Sequence, residues 1–169
     1  MYKTVLFLLF LVLQSSFLFA QAIDHDHDDD HNNEILHEHH HVHEVGVSVS
    51  PVYFVNENEL SVAAHFHYVY NFPHTKFGLG LGYEQVFDEH KHRFTGVELS
   101  YRPVHRLTFG LSPGVLFEGT ENVEKHFALH FETVYEFEIG AFHIGPVAEI
   151  AWHPEDYHIS LGVHIGFGL

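Results

Sequence analysis

From Val45 to Leu169 the chain sets an apolar residue at nearly every second position, and a period of two dictates strands rather than helices. The last segment, "HISLGVHIGFGL" from 158 to 169, is the plainest case. It sends Ile159, Leu161, Val163, Ile165, Phe167 and Leu169 to one face and His158, Ser160, His164 and three glycines to the other. In "FALHFETVYEFEI" from 127 to 139, Phe127, Leu129, Phe131, Tyr135, Phe137 and Ile139 oppose Ala128, His130, Glu132, Glu136 and Glu138, with Thr133 and Val134 the only lapses. The same rule predicts strands over 45–55, 60–70, 77–87, 93–102, 107–118 and 142–153, which makes eight.

The connections are short: "NENE", "NFPHTK", "DEHKH", "PVHR", "GTENVEKH", "GAFH" and "PEDY" carry the Asn, Gly, Pro and charged residues that end strands. Their lengths fit antiparallel hairpins. Pro51, Pro113 and Pro146 fall inside predicted strands and, lacking a ladder donor, are expected at bulges or edges. No sustained 3.6-residue apolar repeat predicts a helix after residue 20.

The two faces decide what such a sheet closes around. A soluble sandwich hides its apolar faces inside, whereas a barrel in lipid turns them outward and lines its lumen with polar and small residues. Here the polar face carries His65, His67, Glu84, Glu98, Arg102, His130, Glu132, Glu136, His143, Glu149, His158 and His164. The opposite face is Leu, Val, Ile, Phe and Tyr on nearly every strand. Each segment has about the nine to eleven residues a tilted strand needs to cross a bilayer. Tyr53, Tyr68, Tyr70, Tyr83, Phe87, Tyr101, Phe117, Tyr135 and Trp152 lie towards strand ends on the apolar face, where interfacial girdles sit. The expected fold is all-β: an eight-stranded antiparallel up-and-down transmembrane barrel, closed so that no edge faces lipid unpaired.

Strand number, alternation, an export signal and an alternating terminal strand together make residues 45–169 resemble the small eight-stranded outer-membrane barrels of the OmpA and OmpX kind. The resemblance implies a porin-like scaffold in the cell outer membrane, monomeric, surrounded by lipid and inserted by the barrel-insertion machinery. Two features depart from that family. Its terminal strand commonly ends in phenylalanine, but here Phe167 lies two positions early and Leu169 is last. Its outer loops are usually long, but here they are short, which takes weight from adhesion and receptor roles.

The first twenty residues, "MYKTVLFLLFLVLQSSFLFA", place Lys3 before an apolar core and end near Ala20 and Ala22, the layout of a signal peptide. Losing Lys3 with that segment takes the formal charge from −16 to −17, which argues against a nucleic-acid partner. There is no cysteine, so thiolate metal sites and disulfides are excluded.

Between signal and barrel, 21–44 reads as a disordered segment that includes "DHDHDDDHNNEILHEHHHVHE". Its imidazoles, His25, His27, His31, His37, His39, His40, His41 and His43, stand among as many carboxylates. Both groups are ligands for zinc and other divalent transition metals, and a dense run can wrap an ion without a preformed cage. The spacing matches no closed metal site, and the other reading is an acidic tail that binds metal incidentally. An even-stranded barrel keeps both ends on one side, so the tract is expected in the periplasm.

The lumen is a second place for chemistry. The pattern puts His65, Glu98, His130, Glu132 and Glu149 in its middle third, where carboxylates repel unless paired or protonated. A hydrogen-bonded plug and a divalent-cation site or path both answer that need. For an enzyme, the nearest arrangement is His158 with Ser160 and Glu149 or Glu155, with no further motif around it. The chain is therefore expected to be a binding or structural protein, with no catalytic residues.

Overall fold

The structure, a computed structural model, describes residues 41–169. The signal segment and six of the tract histidines, His25, His27, His31, His37, His39 and His40, lie outside the described residues. Nine strands follow: β1 His43–Phe54, β2 Glu59–Asn71, β3 Phe77–Val86, β4 Arg93–Val104, β5 Leu107–Glu118, β6 Glu124–Tyr135, β7 Phe137–Ile139, β8 Phe142–Trp152 and β9 Tyr157–Gly168. Among the described residues there is no helix.

All pairings are antiparallel, in the order β6-β5-β4-β3-β2-β1-β9-β8-β7. The sheet then closes on itself, because β6 also pairs with β8 through Glu132↔Glu149 and Val134↔Val147. Strands β6 and β7 are one stave interrupted at Glu136, whose backbone N–H turns to the Arg106 carbonyl at 2.8 Å. The barrel therefore has eight staves, as the alternation predicts, and closure removes every edge.

The prolines behave differently from expectation. Pro51, Pro113 and Pro146 keep continuous pairing on one side, opposite Val62, Leu129 and Val163. They interrupt the ladder on the other side, where Ser50 and Pro51, Ser112 and Pro113, and Gly145 and Pro146 are passed over without a shift of register. A register shift occurs instead between Tyr101 and Val104, around Pro103, which the sequence pattern assigns to a turn. In a closed barrel there is no edge for proline to mark; an outward-facing proline gives up one ladder donor and keeps the rest of the pairing.

Burial alternates along every stave, and the exposed set is the apolar one: Leu60, Leu81, Phe87, Ile139 and Leu161 are each more than 60 % exposed. The small apolar core lies inside the barrel. Val52, Phe54, Ala63 and Val86 form one cluster and Phe94, Leu116 and Ala128 another. Both clusters lie towards the distal end, formed by the turns at 55–58, 87–92, 119–123 and 153–156. Below them, towards the end that carries His43 and Gly168, the interior is polar.

Lumen glycines create the room for this interior. At Gly145 a side chain would overlap the Tyr135 carbonyl oxygen, and at Gly166 it would overlap the His143 ring.

Candidate functional site

Strand β1 begins two residues before the predicted start of the barrel. His43 is already paired with Tyr70, and its Nδ1 lies 2.7 Å from the Tyr68 hydroxyl. Glu44, read from sequence as the last residue of the tract, points into the lumen and is buried. Of the predicted tract ligands only His41 and His43 are described, and they lie just before and at the start of β1.

At the terminal end Glu44 joins a charged network. Arg102, near the end of β4, reaches it with Nη2 to Oε2 at 3.0 Å and lies 3.8 Å from Glu136. Arg102 Nε donates to Thr108 Oγ1 at 3.1 Å, and that hydroxyl donates to Glu136 at 3.3 Å. The second Glu136 oxygen accepts from His143 Nδ1 at 2.8 Å. Apart from the 3.8 Å ion pair these are hydrogen bonds, and the network is a plug held by charge-assisted contacts.

In the middle of the lumen the geometry changes. Of the residues predicted for this third, His65 faces Glu132 at 3.7 Å and Glu149 at 3.8 Å, and His130 Nδ1 faces Glu149 at 3.3 Å. Glu98 belongs a step lower, 3.6 Å from His67. Glu84 and His158, read from sequence only as lumen residues, complete the group: His158 Nε2 is 3.5 Å from Glu149 and 3.8 Å from Glu84. These two were not placed with the others because their height depends on stave tilt and register, which no local pattern encodes. Both ring nitrogens of His65 and of His158 lack a hydrogen-bond partner, as does His130 Nδ1.

Among the described residues six buried glutamates, Glu44, Glu84, Glu98, Glu132, Glu136 and Glu149, thus share the lumen with one arginine. Arg102 serves the terminal end, so the middle carboxylates have only histidines, protons or bound cations to balance them. The alternatives posed by the sequence therefore divide by height, with a hydrogen-bonded plug below and unpaired ligand-type atoms above.

A third group at the distal mouth escaped the sequence reading. His92 and Asp88 are bonded both through side chains and by His92 N–H to Asp88 Oδ1 at 3.0 Å, and Glu118 lies 3.6 Å from His92 Nε2. The His153 ring is tilted against that of His92, centroids 6.0 Å apart, and neither of its ring nitrogens is bonded. Burial pushes His153 down to about 4, helped by the neighbouring His92. The apolar clusters around Phe54 and Phe94 separate this mouth from the middle group: Phe54 meets His92 on one side and His158 on the other, at 5.1 and 5.0 Å.

The catalytic arrangement considered from sequence does not form a nucleophile–base pair. His158 is buried with neither nitrogen hydrogen-bonded to Ser160, and its neighbours are carboxylates.

A closed eight-stave barrel with an apolar outside, a polar filled lumen and short turns defines a transmembrane β-barrel of the small outer-membrane type. Among the described residues no helix is long and apolar enough to cross a membrane, which says nothing of a β-barrel. Solved structures agree on the fold. The chain is similar to Neisserial surface protein A, with a TM-score of 0.57 at 8% identity over 75% of this chain and 97% of that one. It is similar to Ail, the attachment invasion locus protein of Yersinia pestis, with a TM-score of 0.51 at 14% identity over 75% and 96%. A de novo designed transmembrane β-barrel matches with a TM-score of 0.50 at 14% identity over 73% and 94%. No protein-family model and no curated protein matches the sequence.

Proposed function

We propose that this chain is a non-enzymatic outer-membrane barrel that binds divalent transition-metal ions, zinc foremost, through its histidine-rich tract on the periplasmic side. The observation that carries this reading is where the tract ends. The first barrel strand starts at His43 and pairs with the last one, Glu44↔Gly168, so the chain enters the barrel at the end where it also leaves. An even number of staves with short turns at both ends keeps the tract on one side of the membrane, and insertion from the periplasm makes that side periplasmic.

The tract's imidazoles and carboxylates capture the ion; the barrel anchors the tract in the membrane, giving a tethered store or buffer. The competing reading is a structural envelope barrel with an incidental tail. It draws support from the Arg102, Glu44 and Glu136 network, which already provides what a structural plug requires. An outer-membrane lipid-modifying enzyme is disfavoured by the unbonded ring of His158 beside Ser160.

The experiment is zinc titration by calorimetry of the refolded protein in detergent, with and without residues 24–40, a deletion that spares β1. Micromolar sites that are lost with the tract, whatever stoichiometry the barrel itself retains, support the proposal; equal heats and stoichiometry from both proteins defeat it.

A further inference from the structure

We propose that Glu84, His130, Glu149 and His158 form a four-ligand site inside the barrel for a tetrahedral divalent cation of the zinc class. This site is separate from the histidine-rich tract and does not rest on it. Strands β3, β6, β8 and β9 each supply one residue, and one donor atom from each lies within 4.8 Å of the others. All four residues are at least 95 % buried.

Two observations distinguish the group from an ordinary buried polar cluster. The first is spacing. His130 Nδ1 and Glu149 Oε1 are 3.3 Å apart, His158 Nε2 and Glu149 Oε1 3.5 Å, and His158 Nε2 and Glu84 Oε1 3.8 Å. The latter two separations are long for hydrogen bonds. All three lie within about half an ångström of the edge of a tetrahedron about a zinc ion, about 3.3 Å for ligand bonds of about 2.0 Å. The second is the unmet need of the atoms themselves. His130 Nδ1, Glu149 Oε1 and both nitrogens of His158 are buried without a hydrogen-bond partner, and such atoms are costly unless something fills their lone pairs.

Charge points the same way. Among the described residues Glu84 and Glu149 have no arginine or lysine beside them, and Glu132 with His65 stands next to Glu149. A dication between the carboxylates offsets their mutual repulsion. The terminal-end group Glu44, Glu136, His143 and His164 also satisfies the four-donor spacing. There, however, Arg102 already supplies the positive charge and His143 is hydrogen-bonded to Glu136 at 2.8 Å. A second cation at that level would meet the guanidinium, so the middle group is the site.

The imidazoles are also held in place. The Phe94 ring lies over His130 with centroids 3.8 Å apart, and the Phe54 ring meets His158 edge-on at 5.0 Å. These aromatics close the site towards the distal mouth, which gives a fixed, dry ligand set rather than an open channel.

The test uses the full chain with the eight tract histidines, 25, 27, 31, 37, 39, 40, 41 and 43, changed to asparagine, refolded in detergent with cobalt(II) as the probe. The expected result is one cobalt per chain with the intense visible bands of tetrahedral coordination, bleached by added zinc. His158→Gln and Glu84→Gln, made separately in that background, are expected to abolish the bands while the protein keeps the heat-dependent gel mobility of a folded barrel. No bound cobalt, only the weak bands of an octahedral ion, or bands that survive in either folded variant would overturn the site. Should both variants fail to fold, zinc-edge X-ray absorption on the tract-substituted protein decides: two imidazoles with oxygen ligands support the site, and any other imidazole number refutes it.

Discussion

Glu44 and Arg102, 58 positions apart, meet inside the barrel with Arg102 Nη2 3.0 Å from Glu44 Oε2. The contact ties the first strand to the fourth and supplies the arginine charge beside Glu44 and Glu136. Arg102→Ala leaves two buried carboxylates without that partner and is expected to destabilise the barrel by about 3 kcal/mol. Glu44→Gln, which leaves Arg102 facing Glu136, costs less. Urea unfolding of both variants in lipid vesicles gives the comparison; equal losses would show that Arg102 is not the centre of the network.

Lipid surrounds the apolar face, and this is open to a direct trial. Leu81 faces outward midway along β3 and is 64 % exposed. Leu81→Arg is expected to destabilise the inserted barrel by about 2–4 kcal/mol, whereas the same change on a water-facing surface is nearly neutral. The size of the loss in vesicles separates the two environments.

Close approach limits what Gly145 can become. A methyl group there overlaps the Tyr135 carbonyl oxygen, which belongs to the backbone of the neighbouring stave and cannot rotate aside. Gly145→Ala is expected to cost about 1–3 kcal/mol by overpacking. An unchanged urea midpoint would mean that the staves separate more easily than their register implies.

Acidity acts on the distal mouth in two directions. Burial alone would lower the His92 pKa, but its bond to Asp88 and the charges of Asp88, Glu118 and Glu57 raise it above the ordinary value. Burial would raise Asp88, yet its bonds with the ring and backbone of His92 hold it below the ordinary value. A raised imidazole stabilises the fold below about pH 6.5 and loses that contribution as pH rises through the folded value; a lowered carboxyl stabilises above about pH 4 and loses it as pH falls. The pair is therefore most effective between about pH 4 and 6.5, and the stability lost in His92→Gln should be larger at pH 5.5 than at pH 9. His153, pushed down to about 4, has the opposite sign and weakens the fold as pH falls from about 6.5 towards 4. His153→Gln should accordingly look more favourable at pH 5 than at pH 8, and a pH-independent difference would refute the assignment.

Much of the barrel was legible in the sequence because lipid and lumen impose opposite demands on alternate residues. Ile159, Leu161 and Val163 against His158, Ser160 and His164 declare a strand and its two faces without any neighbour's help. The same alternation set apart every buried histidine and glutamate of the middle lumen.

Tertiary structure decided the rest, since stagger between staves sets the height of each side chain. That stagger brings Glu84 and His158 to Glu149, sends Glu98 down to His67, and gives Arg102 to Glu44. It also carries β1 back to His43 and puts the register shift at Pro103, while Pro51, Pro113 and Pro146 only interrupt one ladder each. A period of two determines which face a residue occupies. Only closure of the hydrogen-bonded ladder determines which residues share a level, and therefore which charges meet.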